Sequence, residues 1–336
     1  MKLRSLSLAL FVLVFVSGCE QAANQDNHAP SEVSADELLG FINQVKGNLV
    51  FVEGGDFLMG DYGVQYGAER LPYDSDKDSK PLHEVKLSGY SIGKFKVTNK
   101  EYQFYLQDNG MQQREMDPGN QQDWKEINSA PNTPAHMDWY EAEKYCSWLA
   151  RISDLPFAMP TEAQWEYAAR SRGQFLMVAT DDGTYKVTPS PVTEDDGPRG
   201  INISTTWDRK AFARKNGWQT GIITPLPVDM FAPNPLGLYS MSDNGEEWVK
   251  DWYDPEYYRH SPILDPQGPD EPTFKDSFGH YTKVARGVGI ASPLWGGGVN
   301  VHRTAVEPHG DAFGDGNSYL TSTTARCVIN SSTPIK

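Results

Sequence analysis

PTEAQWEYAAR, residues 160–170, is the stretch of this sequence that decides the fold. Thr161 and Gln164 have the spacing of a capping box, in which the first side chain caps a helix and the side chain three residues later reaches back to the cap. Glu166 and Arg170 stand four residues apart, and opposite charges at that spacing can pair on a helix surface. The stretch therefore predicts a short helix that begins just after its cap and carries an acid–base pair.

Helix-capping signals recur upstream and predict two more helices. Asp138 and Glu141 form one of them, and the helix behind it places apolar side chains along one face. Thr98 or Asn99 can cap a further helix over about residues 100–107. The middle of the chain is therefore expected to be rich in short, capped helices.

Strand-like and loop-like stretches surround these helices. FVEGGDFLMG, residues 51–60, has apolar residues on both sides of a Gly-Gly turn and predicts a pair of strands. Residues 85–97 are also strand-like, whereas residues 61–82 are charged and loop-like. In the second half of the chain the periodicity is weak. The irregular stretches 185–235 and 255–280 contain aromatic residues and are predicted to be long ordered loops.

The first residues have the three parts of a secretory signal. Lys2 and Arg4 supply the positive start, and the apolar run over residues 6–16 is shorter than the roughly 20 residues that cross a bilayer. Small residues then precede Cys19, an order that resembles the lipobox of exported bacterial lipoproteins. We therefore expect residues 1–18 to be a lipoprotein signal peptide and Cys19 to carry the lipid, which would be a durable membrane anchor.

The chain after the anchor divides into a tether, a helix and one large domain. Residues 19–33 are polar without periodicity and are predicted to be a flexible tether. Ser34 and Glu37 form a capping box at the start of a short amphipathic helix, residues 34–47. This helix is interpreted as a packing element, with binding to a partner as the alternative. The main domain is expected over residues 48–336.

The acidic composition limits the partners. The 336 residues have a formal net charge of −15, and loss of Lys2 and Arg4 with the signal peptide would make the chain more negative. This charge disfavours nucleic acid, whose binding depends on basic side chains that neutralise phosphates. A basic protein partner and bound cations are both compatible with it.

Four blocks of the sequence resemble, in the same order, the formylglycine-generating enzyme family, also called sulfatase-modifying factors. The most specific block runs from Trp139 to Arg170 and includes the stretch quoted first. The other blocks are residues 51–60, residues 81–102 and residues 234–252, with a weaker match in residues 286–287, 303–305 and 325–327. The resemblance implies an α+β fold, the C-type-lectin-like fold of that family, with much irregular structure.

The resemblance also shows which chemistry is missing. Family members that make formylglycine resemble copper oxidases that use a pair of cysteines. Residues 286–303 of this chain contain no cysteine, and Ser292 and Gly297 fall at the expected positions. A serine hydroxyl cannot replace a thiolate as a soft ligand for Cu(I). Copper-dependent formylglycine generation is therefore predicted to be absent, and no catalytic residue is assigned.

Calcium and a disulfide are further implications of the resemblance. Asn244, the backbone of Gly245, and Glu247 match the family's calcium loop, and Ca²⁺ prefers such oxygen ligands. The alternative is that these side chains only brace a turn. The residues that match a second calcium site are Asn202, Ile203, Asn216 and Trp218, with Asn216 standing where the family has an aspartate. Cys146 and Cys327 match structural cysteines and are expected to form a disulfide in an oxidising compartment.

Histidine side chains are candidate ligands for another metal. The candidates are His83, His136, His302 and His309. No pair of them has the close spacing of a helix-borne metal site, and a lone histidine is more often a surface or core residue.

Two functions follow as hypotheses. The first is a binding or accessory protein of the bacterial cell envelope, lipid-anchored and facing the periplasm, with the inner and outer membranes both open. Such a protein could be an immunity protein against a toxin. It would hold a protein or peptide in a groove whose candidate residues are Ser292, Trp295, Gly297 and Arg303, although the glycines there could also form a plain turn. The second is a periplasmic oxidoreductase, of the pyoverdine-maturation type, with altered, cysteine-independent chemistry.

Overall fold

The computed structural model describes residues 33–189, 197–289, 299–310 and 322–335. The helices are α1 (Ala35–Gly47), α2 (Gly63–Tyr66), α3 (Asn99–Asp108), α4 (Gln121–Ile127), α5 (Trp139–Ser153), α6 (Glu162–Ala169) and α7 (Thr206–Asn216). The strands are β1 (Leu49–Val52), β2 (Gly55–Met59), β3 (His83–Leu87), β4 (Tyr90–Gly93), β5 (Phe157–Ala158), β6 (Glu246–Trp252), β7 (Lys283–Arg286), β8 (Arg303–Val306), β9 (Thr323–Thr324) and β10 (Val328–Ile329). The α+β class predicted from the sequence is confirmed.

The three predicted capping boxes are present, and Thr98, predicted only as one of two possible caps, forms a fourth with Glu101. Ser34, Thr98, Asp138 and Thr161 each accept a hydrogen bond from the amide three residues later, whose side chain bonds back to the cap amide. Each box satisfies two backbone donors that the first turn of a helix leaves without partners. These short local signals therefore located four helices correctly.

The prediction of an irregular loop over residues 185–235 is wrong, because α7 lies within it. Thr205 and Asp208 form a fifth capping box at its start. The side chains that α7 buries include Asp208 and Arg209, so its inward face is partly charged. A helix with a polar buried face shows no apolar periodicity, which is why the sequence pattern missed it.

The predicted pairing of the two strands around Gly54 is also wrong. Both strands exist, but β1 pairs with β4 and β2 pairs with β3. A Cβ atom on Gly54 would lie 2.4 Å from the carbonyl oxygen of Leu87. The Gly-Gly step therefore lets the chain pass close to a neighbouring backbone as it moves from one sheet to another, and it does not close a hairpin.

The described residues form three sheets. One is antiparallel with the order β1-β4-β10-β5, one is the β2-β3 pair, and one has the order β8-β7-β6-β9. In the third sheet β6 and β9 are parallel. Strand β10, near the end of the chain, lies between β4 and β5, with Val328 opposite Ile92 on one side and Ala158 on the other.

The helix α1 belongs to this body. Phe41 is buried, stacks on Phe104 at 4.4 Å between ring centroids and packs against Trp148 at 5.3 Å. These contacts join α1 to α3 and α5, as expected of a packing element. Within the described residues, no helix has both the length and the apolar character needed to cross a bilayer.

The predicted disulfide is confirmed. Cys146 on α5 and Cys327, next to β10, are joined with a Cα–Cα distance of 5.7 Å. The bridged residues are 181 positions apart, and a loop of that length corresponds to about 5 kcal/mol of stabilisation in the chain-entropy model. The bridge therefore ties the middle helix to the strand that completes the first sheet.

Candidate functional site

The acid–base pair on α6 forms in the core and not on the helix surface. Glu166 Oε1 accepts a hydrogen bond from Arg170 Nη1 at 2.8 Å, and both side chains are completely buried. Glu166 Oε2 accepts from Arg286 Nη2, also at 2.8 Å. The prediction of a surface pair is therefore wrong, because α6 is covered on its charged side by β7.

Glu162, at the first position of α6, holds two buried arginines. It accepts from Arg303 Nε at 2.7 Å and Nη2 at 3.0 Å, and from Arg286 Nη1 at 2.6 Å. Burial opposes ionisation of Glu162, but Arg303 and Arg286 outweigh it and hold the pKa of this carboxyl below its usual range. Arg303 is only 3% exposed. It does not line a surface groove, because its guanidinium is committed to this inward pair.

Asp251 completes this buried network from β6. Its Oδ2 accepts a hydrogen bond from the backbone amide of Glu162 at 2.9 Å. Burial, together with the neighbouring Glu162 carboxylate, raises the pKa of Asp251 to about 7. The network therefore mixes ionised pairs with a carboxyl that holds its proton into the neutral range, and its burial gives it a structural role.

A second buried centre lies at the loop that was predicted to bind calcium. The ammonium group of Lys96 donates to Glu247 Oε1 at 2.7 Å and to the carbonyl oxygen of Gly245 at 2.8 Å. Arg326 binds the same carboxylate with Nε and Nη2, each at 2.8 Å, and Trp165 Nε1 donates to Glu247 Oε2 at 2.8 Å. Cationic and N–H donors of the chain itself therefore surround Glu247.

These contacts change the interpretation of the calcium loop. Asn244 Oδ1 accepts from the amide of Leu226 at 2.8 Å, and its Nδ2 donates to the Leu226 carbonyl at 2.7 Å. Each of the three predicted ligand residues thus bonds to a protein group. Calcium at this loop stays a prediction. The geometry favours the alternative, a braced turn in which the Lys96 ammonium contacts two of the assigned oxygens, those of Gly245 and Glu247.

The charges of this centre depend on one another. Burial lowers the pKa of Lys96 to about 8, an effect that the Glu247 carboxylate opposes. Burial also disfavours the charged form of Glu247, but Arg326 and Lys96 lower its pKa to about 2. Lys96 and Glu247 are therefore a mutually dependent pair, in which each group keeps the other charged.

The residues of the predicted second calcium site bond to different segments. Asn202 Oδ1 accepts from the amide of Lys186 at 2.8 Å, and its Nδ2 donates to Asp181 Oδ1 at 2.8 Å. Asn216, at the end of α7, donates to the Phe212 carbonyl at 2.8 Å. Ile203 is buried, and the ring of Trp218 packs edge-on against Phe212. No hydrogen bond in the described part of the chain joins Asn202 to Asn216, so calcium here also stays a prediction.

The four candidate histidines lie in different surroundings. The ring of His83 packs against Tyr258, His136 is buried, and His309 stacks on Tyr140. Nδ1 of His302 lies 3.3 Å from Asp74 Oδ2. Within the residues that the structure describes, His302 is the histidine found in a three-residue group able to hold a metal ion, with Asp74 and Asp76.

Several of these residues were missed by sequence reasoning. Lys96 stands between Phe95 and Val97, and a charge inside an apolar stretch is a usable signal of a buried ion pair. Asp74 and Asp76 lie in the stretch interpreted only as a charged loop. The predicted positions Cys19, Ser292, Trp295 and Gly297 lie outside the described residues.

Comparison with known proteins gives consistent results. The sequence model of the sulfatase-modifying factor enzyme 1-like domain matches residues 41–313. The formylglycine-generating enzyme of Streptomyces coelicolor is 28% identical over 258 residues, which cover 66% of this chain and 74% of that protein. A mouse protein named inactive C-alpha-formylglycine-generating enzyme 2 is 25% identical over 246 residues, covering 62% of this chain and 70% of the mouse protein. The solved structure of PvdO from Pseudomonas aeruginosa has the same fold, with a TM-score of 0.54 at 22% identity over 84% of this chain and 93% of PvdO.

Proposed function

This chain belongs to the sulfatase-modifying factor family, and on that premise we propose that it is a lipid-anchored binding or accessory protein of the bacterial cell envelope that works without copper. It faces the periplasm and holds a protein or peptide partner. Neutralisation of a toxin delivered to the envelope is one form that this role could take.

The main support for this proposal is the role assigned to each cysteine. The chain has three cysteines, and Cys146 and Cys327 form the disulfide. The third, Cys19, stands at the position expected for the lipid. This assignment leaves no thiolate to bind Cu(I), which prefers soft sulfur ligands. The mouse relative named as inactive agrees with the idea that the fold serves roles other than formylglycine generation.

An exposed aromatic surface supports partner binding. Tyr66 and Phe175 stack at 4.4 Å between ring centroids although they are 48% and 45% exposed. Val64 and Leu71, on the same stretch of chain as Tyr66, are also largely exposed. Apolar and aromatic groups that stay in water are typical of protein contact sites. The acidic charge of the chain adds a preference for a basic partner.

Photocrosslinking in the bacterial envelope tests the binding role. A photoreactive residue at position 175, in the full-length chain, is expected to capture one discrete partner. The matched control carries the same residue at Phe278, which is 55% exposed and stacks on His280. Equal capture at both positions, or capture at neither, would contradict the proposed surface.

Two further measurements test the anchor and the missing reaction. The Cys19→Ser variant is expected to leave the membrane fraction, and mass spectrometry of the wild type should find acyl chains on Cys19. Incubation of the purified protein with copper and a cysteine-containing sulfatase peptide should yield no formylglycine. Formation of formylglycine would overturn the copper-independent role while leaving the anchor intact.

The cluster of Asp74, Asp76 and His302 is the observation that favours the second hypothesis, an oxidoreductase with cysteine-independent chemistry. A redox-active metal that copurifies with the wild-type protein would support that enzyme role. Crosslinking of a partner by a metal-free protein would support the binding role.

A further inference from the structure

Asp74, Asp76 and His302 meet from distant parts of the chain. The two aspartates lie in the loop between α2 and β3, and His302 immediately precedes β8. One ligand atom from each residue lies within 4.8 Å of the other two. An imidazole nitrogen with two carboxylate oxygens suits divalent transition ions, whereas Ca²⁺ and Mg²⁺ prefer oxygen ligands alone.

Hydrogen bonds to backbone atoms of Asp74 and Asp76 fix the shape of their loop. The carboxylates are therefore positioned but keep oxygen atoms that can bind an ion. Lys80 donates to the carbonyl oxygen of Asp74 at 2.8 Å and to that of Asp76. The amide of Asp74 donates to Asp61 Oδ2 at 3.2 Å. Oδ1 of Asp74 accepts from the amide of Asp76 at 3.0 Å, while Oδ2 faces His302. The loop is thus shaped by the groups around it before any ion arrives.

A buried hydroxyl beside the cluster gives an independent indication of a missing ligand. Ser79 is completely buried, and its Oγ makes no geometrically acceptable hydrogen bond to any described residue. Burial opposes ionisation of Asp74, but His302 and the Asp76 amide outweigh it and lower the pKa of this carboxyl, and Ser79 lies near enough to add a smaller contribution. A buried hydroxyl without a hydrogen-bond partner is costly, and a water bound to the ion would give it one.

Charge and access both favour an ion at this place. Asp61, Asp74 and Asp76 bring three carboxylates together, and among the described residues Lys80 is the cation that bonds to this loop, while Arg286 acts on His302 from farther away. Asp74 is only 4% exposed, but Asp76 is exposed and the His302 side chain is one-third exposed. An ion can therefore reach the cluster from solvent and still bind to a buried carboxylate.

We propose that Asp74, Asp76 and His302 bind one divalent transition-metal ion such as Zn²⁺ or Mn²⁺. Ligand bonds of about 2.1 Å require donor atoms roughly 3.3 Å apart, so the exposed Asp76 side chain closes inward when the ion binds. Three protein ligands leave at least one coordination position for water or a substrate, as in catalytic metal sites. The proposal does not depend on the partner-binding role.

Titration of the chelator-treated full-length protein with Zn²⁺, followed by calorimetry, tests the site. Co²⁺ is used as a spectroscopic probe of the ligand set. We expect one equivalent of metal per chain, and affinity at least tenfold weaker in Asp76→Asn and in His302→Gln. Asp76 is exposed, so its variant should fold normally, and a thermal unfolding curve checks this. The matched control is His280→Gln, because His280 also pairs with one aspartate, Asp276, at 3.4 Å, and is not part of a three-residue metal group in the described chain.

Three results would overturn the proposal. One is the absence of stoichiometric binding by the wild type. Another is unchanged affinity in both Asp76→Asn and His302→Gln. The third is an equal loss of affinity in His280→Gln, which would show general histidine binding and not a built site.

Discussion

The Lys96–Glu247 centre and the Asp74–His302 cluster use similar groups but are completed differently. In the first, a buried carboxylate is surrounded by Lys96, Arg326 and the indole of Trp165, all from the chain itself. In the second, two carboxylates and an imidazole meet near the surface with less cationic charge around them.

The difference shows that burial decides whether the counter-charge comes from the chain itself or from an ion in solution. A fully buried carboxylate without partners would cost several kcal/mol, so the fold must provide cations of its own. A partly exposed cluster is solvated and can stay open until an ion from solution binds. Similar side chains therefore serve the fold at one place and offer a ligand site at the other.

The largest expected effect comes from removing the buried counter-charge. Glu247→Gln leaves Lys96 and Arg326 buried without their carboxylate and should lower the free energy of unfolding by about 3–5 kcal/mol. Urea unfolding measures this. The matched control is Glu246→Gln on the same strand. Glu246 accepts a hydrogen bond from Thr304, and burial raises its pKa, so glutamine should cost under about 1 kcal/mol. Equal losses would contradict the distinction.

Acid should reduce the difference in the free energy of unfolding between the wild type and Glu247→Gln. The pKa of Glu247 is about 2 in the folded protein, below its ordinary value of 4.5. Its stabilisation is therefore fully present above pH 4.5 and is lost as the pH falls through 2. Unfolding curves over this range test the sign. A gap that widened on acidification would show that Glu247 does not act as the counter-ion.

A smaller effect is expected from Lys96→Ala, because Glu247 keeps Arg326. The loss should be about 2 kcal/mol, the scale of a hydrogen bond to a charged group. Removing the ammonium also removes one hydrogen bond from Glu247 Oε1 and one from the Gly245 carbonyl, so Ca²⁺ should raise the melting temperature of this variant more than that of the wild type. The control is Lys86→Ala, whose side chain is 60% exposed. If Ca²⁺ raises the melting temperature of the wild type as much as that of Lys96→Ala, the native loop binds calcium and the braced-turn interpretation is wrong.

The smallest effect is expected at the open cluster. His302→Gln should change the free energy of unfolding in metal-free buffer by less than about 1 kcal/mol, because ion pairs near solvent contribute little. The histidine side chain is 33% exposed in this pair. Urea unfolding with added chelator measures the change. A loss as large as that of Glu247→Gln would mean that the cluster is a structural pair like the buried centre.

The sequence located what is encoded locally. A capping box lies within four residues, so Thr161 and Gln164 could be recognised without knowledge of the fold. The disulfide and the α+β class came from the family resemblance, which carries the long-range arrangement that single residues do not.

The sequence failed where the structure depends on distant contacts. Lys96 and Glu247 are 151 positions apart, and Arg286 lies 124 positions from Glu162. Nothing in the spacing of these charged residues says which pairs will be buried together. Three wrong predictions have the same cause: Glu166 was expected on a helix surface, the charged inner face of α7 was missed, and β1 was expected to pair with β2.

The position of β10 has a consequence for the order in which this protein can fold. A ribosome makes residues 328–329 after every other strand described, yet β4 and β5 are both hydrogen-bonded to them. Until that strand emerges, the first sheet lacks its bridging member and Cys146 has no partner thiol. Completion of this sheet must therefore follow synthesis of every other strand described, so a chain that ends before β10 can neither close the first sheet nor form the disulfide.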